Sequence, residues 1–257
     1  MTKYIVVSGY PKSGTTWATR QVAELLDCPA KGYWGFAGKT LVTEGEERAS
    51  EYMCYQFHGL HEEIMQSGLS KPYKVIYIVR DPRDVVVSGM FHFSFLHDIA
   101  HRLVQSTNVG AVKSLVRRIS SSLISLRAKQ HRMVKIVTGG DDRLESCKHS
   151  WSAHVESYMD QPALIIRYED LLADSLETSL SILRYVGVDK SIDEVRRGID
   201  AQAFNKRKRT FLRDDETVRY QHLRKGVSGD WVNHISQETN RYIIDSLGNH
   251  MRRYGYE

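Results

Sequence analysis

The fold is decided by the stretch Tyr10-Pro11-Lys12-Ser13-Gly14-Thr15-Thr16-Trp17. It follows an apolar, β-type run at residues 4–7 and opens a helical pattern that extends to about Asp27. A strand, a tight turn and a helix start in this order form an anion cradle, because unpaired N–H groups and the positive end of the helix dipole point at the turn. Lys12 adds a positive charge to the hydroxyls of the stretch. The pattern therefore predicts a site for a phosphate-bearing ligand.

Composition narrows the class of protein. The 257 residues are 41% hydrophobic and 26% charged, which predicts one α/β domain over residues 1–257. The longest apolar runs, such as Val75–Val79, are too short to span a bilayer, and no secretory signal pattern is visible. Three widely separated cysteines show no metal-ligand spacing. We expect a cytoplasmic protein that binds no membrane and no metal.

The net charge of the chain indicates what kind of ligand it binds. A net charge of +5 is mild for a chain of this length, so it favours a small anionic ligand over nucleic acid.

Strands alternate with helices along the chain, which predicts a three-layer α/β fold with a mostly parallel sheet of four to five strands and a P-loop-like nucleotide-binding core. Strands are predicted at residues 2–8, 52–57, 74–79 and 163–168. The first predicted helix extends from the cradle to about residue 27, and a short second one follows Gly59 and ends at about residue 68. Further helices are predicted over 82–95, 144–159, 169–186, 191–201 and 237–247. Loops are predicted over 29–38, 134–142 and 204–228.

Ligands of parallel sheets bind at the carboxyl ends of the strands. This rule brings Lys12, His58, Arg80 and Tyr168 to one edge, since each lies at or just past a strand end. Ser88 follows Arg80 by two helical turns. The alternatives are a surface ion pair between Arg80 and Asp84, and an ordinary helical position for Ser88.

The lysine position distinguishes two kinds of phosphate loop. In the common pattern, lysine follows the second glycine, whereas Lys12 precedes Gly14. A partner strand ending in a magnesium-binding aspartate is present only weakly, at residues 79–81. A phosphate-loop kinase acting on a small molecule is therefore the alternative function rather than the first.

Five segments, in order, resemble the cytosolic-type sulfotransferases, which use 3′-phosphoadenosine 5′-phosphosulfate (PAPS) as donor and release 3′-phosphoadenosine 5′-phosphate (PAP). They are residues 10–17, 77–88, 151–155, 168–171 and 224–231. Residues 10–17 resemble the 5′-phosphosulfate loop, 77–88 the 3′-phosphate motif, and 224–231 the C-terminal signature. The resemblance implies sulfuryl transfer to a hydroxyl or amine of a small-molecule acceptor, without a metal.

The resemblance also implies roles for single residues. Lys12 would contact the oxygen that bridges the 5′-phosphate and the sulfuryl group. The 5′-phosphate would be held by Ser13, Gly14, Thr15 and Thr16, the 3′-phosphate by Arg80, Ser88, Arg224, Lys225 and Gly226, and the adenine by Trp17, Tyr168 and Phe204. Core packing is the alternative for Trp17 and Tyr168.

The family's general base is a histidine at the end of the second predicted strand. His58 fits this place, and His61, one helical turn later, is the competitor. The family often carries a lysine two residues before the histidine, where this chain has Gln56. The resemblance thus leaves the stabilisation of developing charge to Lys12 or to another cation.

Three further features remain open. The acceptor pocket is expected to draw on residues 33–36 and 90–150, whose aromatic side chains favour an apolar acceptor. The basic run at 206–209 could be a nuclear or nucleic-acid signal, but its place before Arg224 favours a cofactor lid, with a solvated charge cluster as the equal alternative. The positions that correspond to the family's dimer motif all depart from it, so no oligomeric state is predicted; they are Val232, Ser236, Gln237 and Arg241.

Overall fold

A single parallel sheet forms the centre of the fold. The computed structural model describes residues 2–34, 44–66, 73–93, 124–203, 206 and 225–256. Within these residues the strands are β1 (Lys3–Ser8), β2 (Ala30–Tyr33), β3 (Tyr52–Phe57), β4 (Tyr73–Val79) and β5 (Ala163–Arg167). Their order is β2-β3-β1-β4-β5, and every neighbouring pair is parallel. The predicted α/β class with a parallel sheet is confirmed.

The first strand lies in the middle of the sheet. In β1, Val6 pairs with Tyr55 on one side and with Val75 on the other. β1 is buried from Tyr4 onward, which explains its run of apolar residues without polar alternation. The turn that follows β1 is therefore flanked by the ends of two other strands.

Helices cover both faces of the sheet. They are α1 (Thr15–Leu25), α2 (His61–Gln66), α3 (Pro82–His92), α4 (Leu126–Gly139), α5 (Trp151–Met159), α6 (Tyr168–Ala173), α7 (Ser175–Val186), α8 (Ile192–Ala201) and α9 (Gln237–Arg253). Side chains of α3, α4, α5 and α9 pack in one apolar cluster with Val6 and Tyr77 of the sheet. Side chains of α1, α7 and α8 pack in a second cluster with Val7 and Ile78. Alternate residues of each strand thus serve opposite faces, and three layers result.

The structure corrects two predicted loops. The loop predicted over 29–38 contains β2, whose sequence Ala-Lys-Gly-Tyr has little strand character and which forms because β3 offers a free edge. The loop predicted over 134–142 is helical up to Gly139, since Met133, Val134 and Ile136 bury an apolar face there. Tertiary burial outweighed the glycine pair in this case.

Two helix predictions also need correction. The single helix predicted over 169–186 is divided at Asp174, whose carboxylate accepts a hydrogen bond from the amide of Glu177 and so starts α7. The last helix continues beyond Leu247 to Arg253, because Met251 is buried. Its predicted end was too early.

Candidate active site

The loop between β1 and α1 has a strained, left-handed backbone. Lys12 has φ 75° and Gly14 has φ 90°. A lysine rarely adopts this conformation, and such strain is typical of functional loops. Gly14 is the residue that caps α1, and no side chain of the described residues caps the helix. The first N–H groups of α1 are therefore not capped by a hydroxyl of these residues.

Tyr168 closes one side of this loop. A Cβ atom at Gly14 would lie 2.5 Å from Cδ2 of Tyr168, so glycine is required both by its φ and by this contact. The rings of Trp17 and Tyr168 meet edge to face with 5.7 Å between their centroids, and the indole N–H of Trp17 donates to the carbonyl of Gln202. Tyr168 is buried, whereas Trp17 is half-buried. Packing, the alternative role, is satisfied by both rings.

Three buried polar atoms around the loop have no hydrogen-bond partner among the residues that the structure describes. They are Ser13 Oγ, Thr15 Oγ1 and Arg80 Nε. Buried polar groups are normally paired, so a cluster of exceptions needs an explanation. Each of these atoms donates a hydrogen, and an anion with several oxygens would satisfy them together. Thr16, by contrast, is exposed.

Arg80 joins the loop to the C-terminal segment. Its Nη1 donates to the carbonyl of Lys12 at 3.1 Å, and its Nη2 donates to the carbonyl of Val227 at 3.0 Å. Its guanidinium lies over the ring of Tyr168, 4.1 Å from the centroid. The expected ion pair with Asp84 also exists, at 3.9 Å, but both side chains are buried rather than on the surface. Ser88 lies half-buried on α3.

The start of α3 holds the C-terminal segment 225–231. The carboxylate of Asp84 accepts from the backbone amides of Gly229, at 2.7 Å, and Trp231, at 3.0 Å. Arg83, paired with Asp81 at 2.7 Å, lies over the Trp231 ring. This docking brings the segment that contains Lys225 and Gly226 to the edge where Arg80 lies.

The structure describes only some of the other residues predicted to hold the donor. Lys225 is exposed and its Nζ donates to both carboxylate oxygens of Asp230. Phe204 and Arg224 lie outside the described residues, as do Arg207, Lys208 and Arg209 of the basic run.

The charge of Lys12 is sensitive to its surroundings. Burial, and to a smaller extent the nearby positive charge of Arg80, lower its pKa to about 8. Two cations that close together, beside the amino end of α1, favour an anion.

His58, not His61, contacts the loop. Nδ1 of His58 donates to the carbonyl of Gly9 at 2.7 Å, and its Nε2 lies 2.9 Å from the side-chain nitrogen of Gln56. Burial lowers the pKa of His58 to about 4, so the ring is neutral at physiological pH. His61 instead packs its ring against Tyr158.

A buried network beneath His58 was not predicted from the sequence. His154 Nε2 donates to the carbonyl of His58 at 3.0 Å, and the hydroxyl of Tyr77 donates to His154 Nδ1 at 2.9 Å. The hydroxyl of Tyr158 donates to the carbonyl of Gly59 at 2.8 Å. The peptide that carries the histidine is thereby fixed from α5. The only signal in the sequence was the helical segment 151–155, noted for its resemblance alone.

The aromatic residues expected to line an acceptor pocket separate into two groups. Trp34 is fully buried and donates to the carbonyl of Ile64, so it belongs to the core. Tyr33 is half-buried, and its ring centroid lies 5.7 Å from that of His58. Phe36 and most of residues 90–150 before Ile124 lie outside the described part of the chain.

Two kinds of feature are absent from the described residues. No helix among them is long and apolar enough to cross a membrane. No group of three or more His, Cys, Asp or Glu side chains among them could hold a metal ion.

Comparison with known proteins identifies the family. The family model described as "Sulfotransferase domain" matches residues 2–255. The mouse (Mus musculus) Sulfotransferase 2A6 is 24% identical over 259 residues, covering 90% of this chain and 78% of the relative. The 3-alpha-hydroxysteroid sulfotransferase of Cavia porcellus is 24% identical over 258 residues, covering 88% and 76%. The crystal structure of mouse sulfotransferase SULT7A1 complexed with PAP has a TM-score of 0.64 and 22% identity, and covers 97% of this chain and 85% of that one.

The chain belongs to the sulfotransferase family, because the family model matches nearly its whole length. It is an enzyme of sulfuryl transfer, and the kinase alternative has no support among these matches.

Proposed function

We propose that this protein transfers the sulfuryl group of PAPS to a hydroxyl or amine of a small-molecule acceptor, with His58 as the general base and Lys12 beside the leaving oxygen. The observation that carries the proposal is the cluster of unpartnered donors at the loop, Ser13 Oγ, Thr15 Oγ1 and Arg80 Nε. Phosphate oxygens are suitable acceptors for all three. The solved sulfotransferase complexed with PAP shares this fold.

The donor supplies an activated sulfuryl group on a phosphate. Ser13, Thr15 and the amino end of α1 would hold the 5′-phosphate, and Lys12 would offset the negative charge that builds on the released phosphate oxygen. Lys12 is suited to this because its ammonium is already partly desolvated. Arg80 would hold the 3′-phosphate with Ser88, Arg224, Lys225 and Gly226; it would redirect guanidinium donors that now bind carbonyls. Trp17, Tyr168 and Phe204 would contact the adenine.

His58 would take the acceptor proton. With Nδ1 donating to Gly9, the ring carries its lone pair on Nε2, the form that a base needs. The acceptor O–H or N–H bond breaks toward Nε2, a bond forms from the acceptor atom to sulfur, and the bond from sulfur to the bridging phosphate oxygen breaks. The products are the sulfated acceptor and PAP.

The test is transfer of labelled sulfate from PAPS to a panel of phenols, aliphatic alcohols, hydroxysteroids and amines. Hydroxysteroids belong in the panel because one relative is named for them. We expect sulfation of at least one class, with no transfer of phosphate from ATP. His58→Asn should lower kcat by about 10²–10⁴-fold, the usual contribution of a general base, and leave PAP affinity unchanged.

The matched control is His61→Asn, which changes the neighbouring histidine that does not contact the loop. Its kcat should stay close to that of the natural sequence. Normal turnover by His58→Asn, or an equal loss in both variants, would contradict the assignment of the base.

A further inference from the structure

Gln56 lies directly beside the ring that the proposed function uses as base. Gln56 is the next-to-last residue of β3, and it is 7% exposed. The side-chain nitrogen of Gln56 is 2.9 Å from His58 Nε2. The backbone of Gln56 is fixed as well, since its carbonyl accepts from the amide of Trp34 and its Cα pairs with Val7. The contact thus joins two well-anchored side chains.

The direction of this hydrogen bond follows from the other side of the ring. The carbonyl of Gly9 can only accept, so Nδ1 of His58 carries a hydrogen. The ring is neutral, because burial lowers its pKa to about 4. A neutral imidazole protonated on Nδ1 has a lone pair on Nε2, and the neighbour of that lone pair must donate. The donor is the amide NH₂ of Gln56.

The lone pair that would accept the proton is therefore already occupied. We propose that Gln56 is a positioning residue for His58: its amide covers Nε2 in the free protein and gives way to the attacking group of the acceptor. This inference rests on the proposed function, in which Nε2 of His58 takes the acceptor proton. A chain with lysine at this place would bring a charge to the ring, whereas Gln56 brings a neutral donor.

An incoming hydroxyl can satisfy both side chains once they separate. Its hydrogen is directed at Nε2, and its oxygen accepts from the amide of Gln56, so no buried donor is left unpaired. The two groups together define where the attacking oxygen sits. A methyl ether in the same place offers no hydrogen to Nε2 and would leave the base uncovered.

The first experiment needs neither donor nor acceptor. Nitrogen NMR of the histidine side chains, with His58 assigned by its loss in His58→Asn, reports which nitrogen carries the hydrogen and whether the other is hydrogen-bonded. In the natural protein we expect Nδ1 protonated and Nε2 hydrogen-bonded. In Gln56→Leu the Nε2 resonance should move toward that of an unbonded lone pair, while Nδ1 stays unchanged. An unmoved Nε2, or a hydrogen on Nε2, would overturn the inference.

Two further variants serve as controls for the NMR experiment on His58. Gln21→Leu is the matched control, because Gln21 is 1% exposed and its side-chain nitrogen has no hydrogen-bond partner within the described part of the chain; it should leave both His58 resonances in place. Gln56→Glu puts a carboxylate where the amide was, which favours the charged ring and should raise the pKa of His58 from about 4. An unchanged pKa in Gln56→Glu would mean that the two side chains are not in contact.

The second experiment tests the role in turnover. With an acceptor found in the panel, Gln56→Leu should lower kcat/KM for that acceptor by about 3- to 10-fold, the range of a neutral hydrogen bond, without weakening PAP binding. An unchanged kcat/KM would refute the positioning role. If the NMR contact is present but no acceptor is ever sulfated, the proposed function fails while the hydrogen bond stands, so the two failures are distinguishable.

Discussion

The two titrating groups of the site, His58 and Lys12, have pKa values displaced in the same direction for a shared reason. Both lose hydration in the space between the loop and the end of β3, and the charged form of each is disfavoured. The His58 ring is thereby held neutral, and Lys12 is brought close to the pH at which it loses its charge. A neutral His58 and a Lys12 that is still mostly charged at neutral pH suit the roles proposed for them, proton acceptor and cation.

This pair predicts a bell-shaped dependence of kcat/KM on pH. Activity should fall below about pH 4, where His58 becomes protonated and cannot accept a proton. It should also fall above about pH 8, where Lys12 loses its charge. The measurement is kcat/KM for PAPS over this range. In Lys12→Arg, any remaining activity should keep its level at alkaline pH, because a guanidinium stays charged. An alkaline decline of the same midpoint in Lys12→Arg would assign it to another group.

Among the elements, α3 connects the site to the rest of the chain. Its first turn carries Asp84, which fixes the backbone of segment 225–231, and the strand end before it carries Arg80. The first turn of α3 therefore holds the backbone of segment 225–231, and it lies at the same edge of the sheet as the candidate site. Lys225 and Gly226, two of the residues proposed to hold the 3′-phosphate, belong to this docked segment.

Asp84→Ala should release the segment. Two hydrogen bonds to a charged group are lost, each of which contributes about 1.5–3 kcal/mol. We expect hydrogen exchange at the amides of Gly229 and Trp231 to accelerate, and PAP affinity to fall by about tenfold.

The control for this change is Asp245→Ala, which removes an exposed carboxylate from α9. It should alter neither exchange at Gly229 nor PAP affinity. Tight PAP binding in Asp84→Ala, together with faster exchange, would show that the segment is not part of the donor site.

The elements that sequence could identify are those with local signals. The bounds of β3 were predicted as observed, and Gly187 ends α7 in the left-handed conformation that a C′ glycine supplies. Ser191 and Glu194 form the capping box that starts α8. By contrast, β2 exists only because β3 lies beside it, and four residues carry no such information on their own.

The candidate site likewise contains residues that a local sequence pattern identifies and contacts that only long-range packing creates. The rule that ligands bind at strand ends sufficed to bring Lys12, His58, Arg80 and Tyr168 together, because each follows a recognisable strand. The bond from His154 to the carbonyl of His58 spans 96 residues, and the bond from Asp84 to Gly229 spans 145. Such contacts depend on how α5 and the C-terminal segment pack, which no local pattern specifies.

At the scale of the whole molecule, two buried neutral histidines connect the site to stability. Burial lowers the pKa of His154 to about 3 and that of His58 to about 4, against 6.5 for an exposed ring. Between these values the unfolded chain binds more protons than the folded one. The stabilisation present above about pH 6.5 is therefore lost progressively as the pH falls toward 4.

Urea unfolding at neutral and mildly acidic pH should show this loss. The free energy of unfolding should decrease from neutral pH to about pH 5, where an ordinary histidine is mostly protonated. His154→Gln should decrease less over the same interval, because one of the two titrating rings is gone. His131→Gln, which changes an exposed histidine, should follow the natural protein. An equal slope in His154→Gln would contradict a neutral, buried His154.

The central place of β1 has a consequence for how the chain is made. β1 precedes both of its partners in the chain, and these partners, β3 and β4, end only at Phe57 and Val79. Ribosomes add about 5–20 residues per second, so β1 is complete several seconds before β4, the later of the two strands that cover its edges, has been synthesised. The loop that follows β1 is flanked by the ends of both partner strands only then. During that interval the nascent chain exposes an apolar strand with two open edges, the kind of segment that chaperones bind.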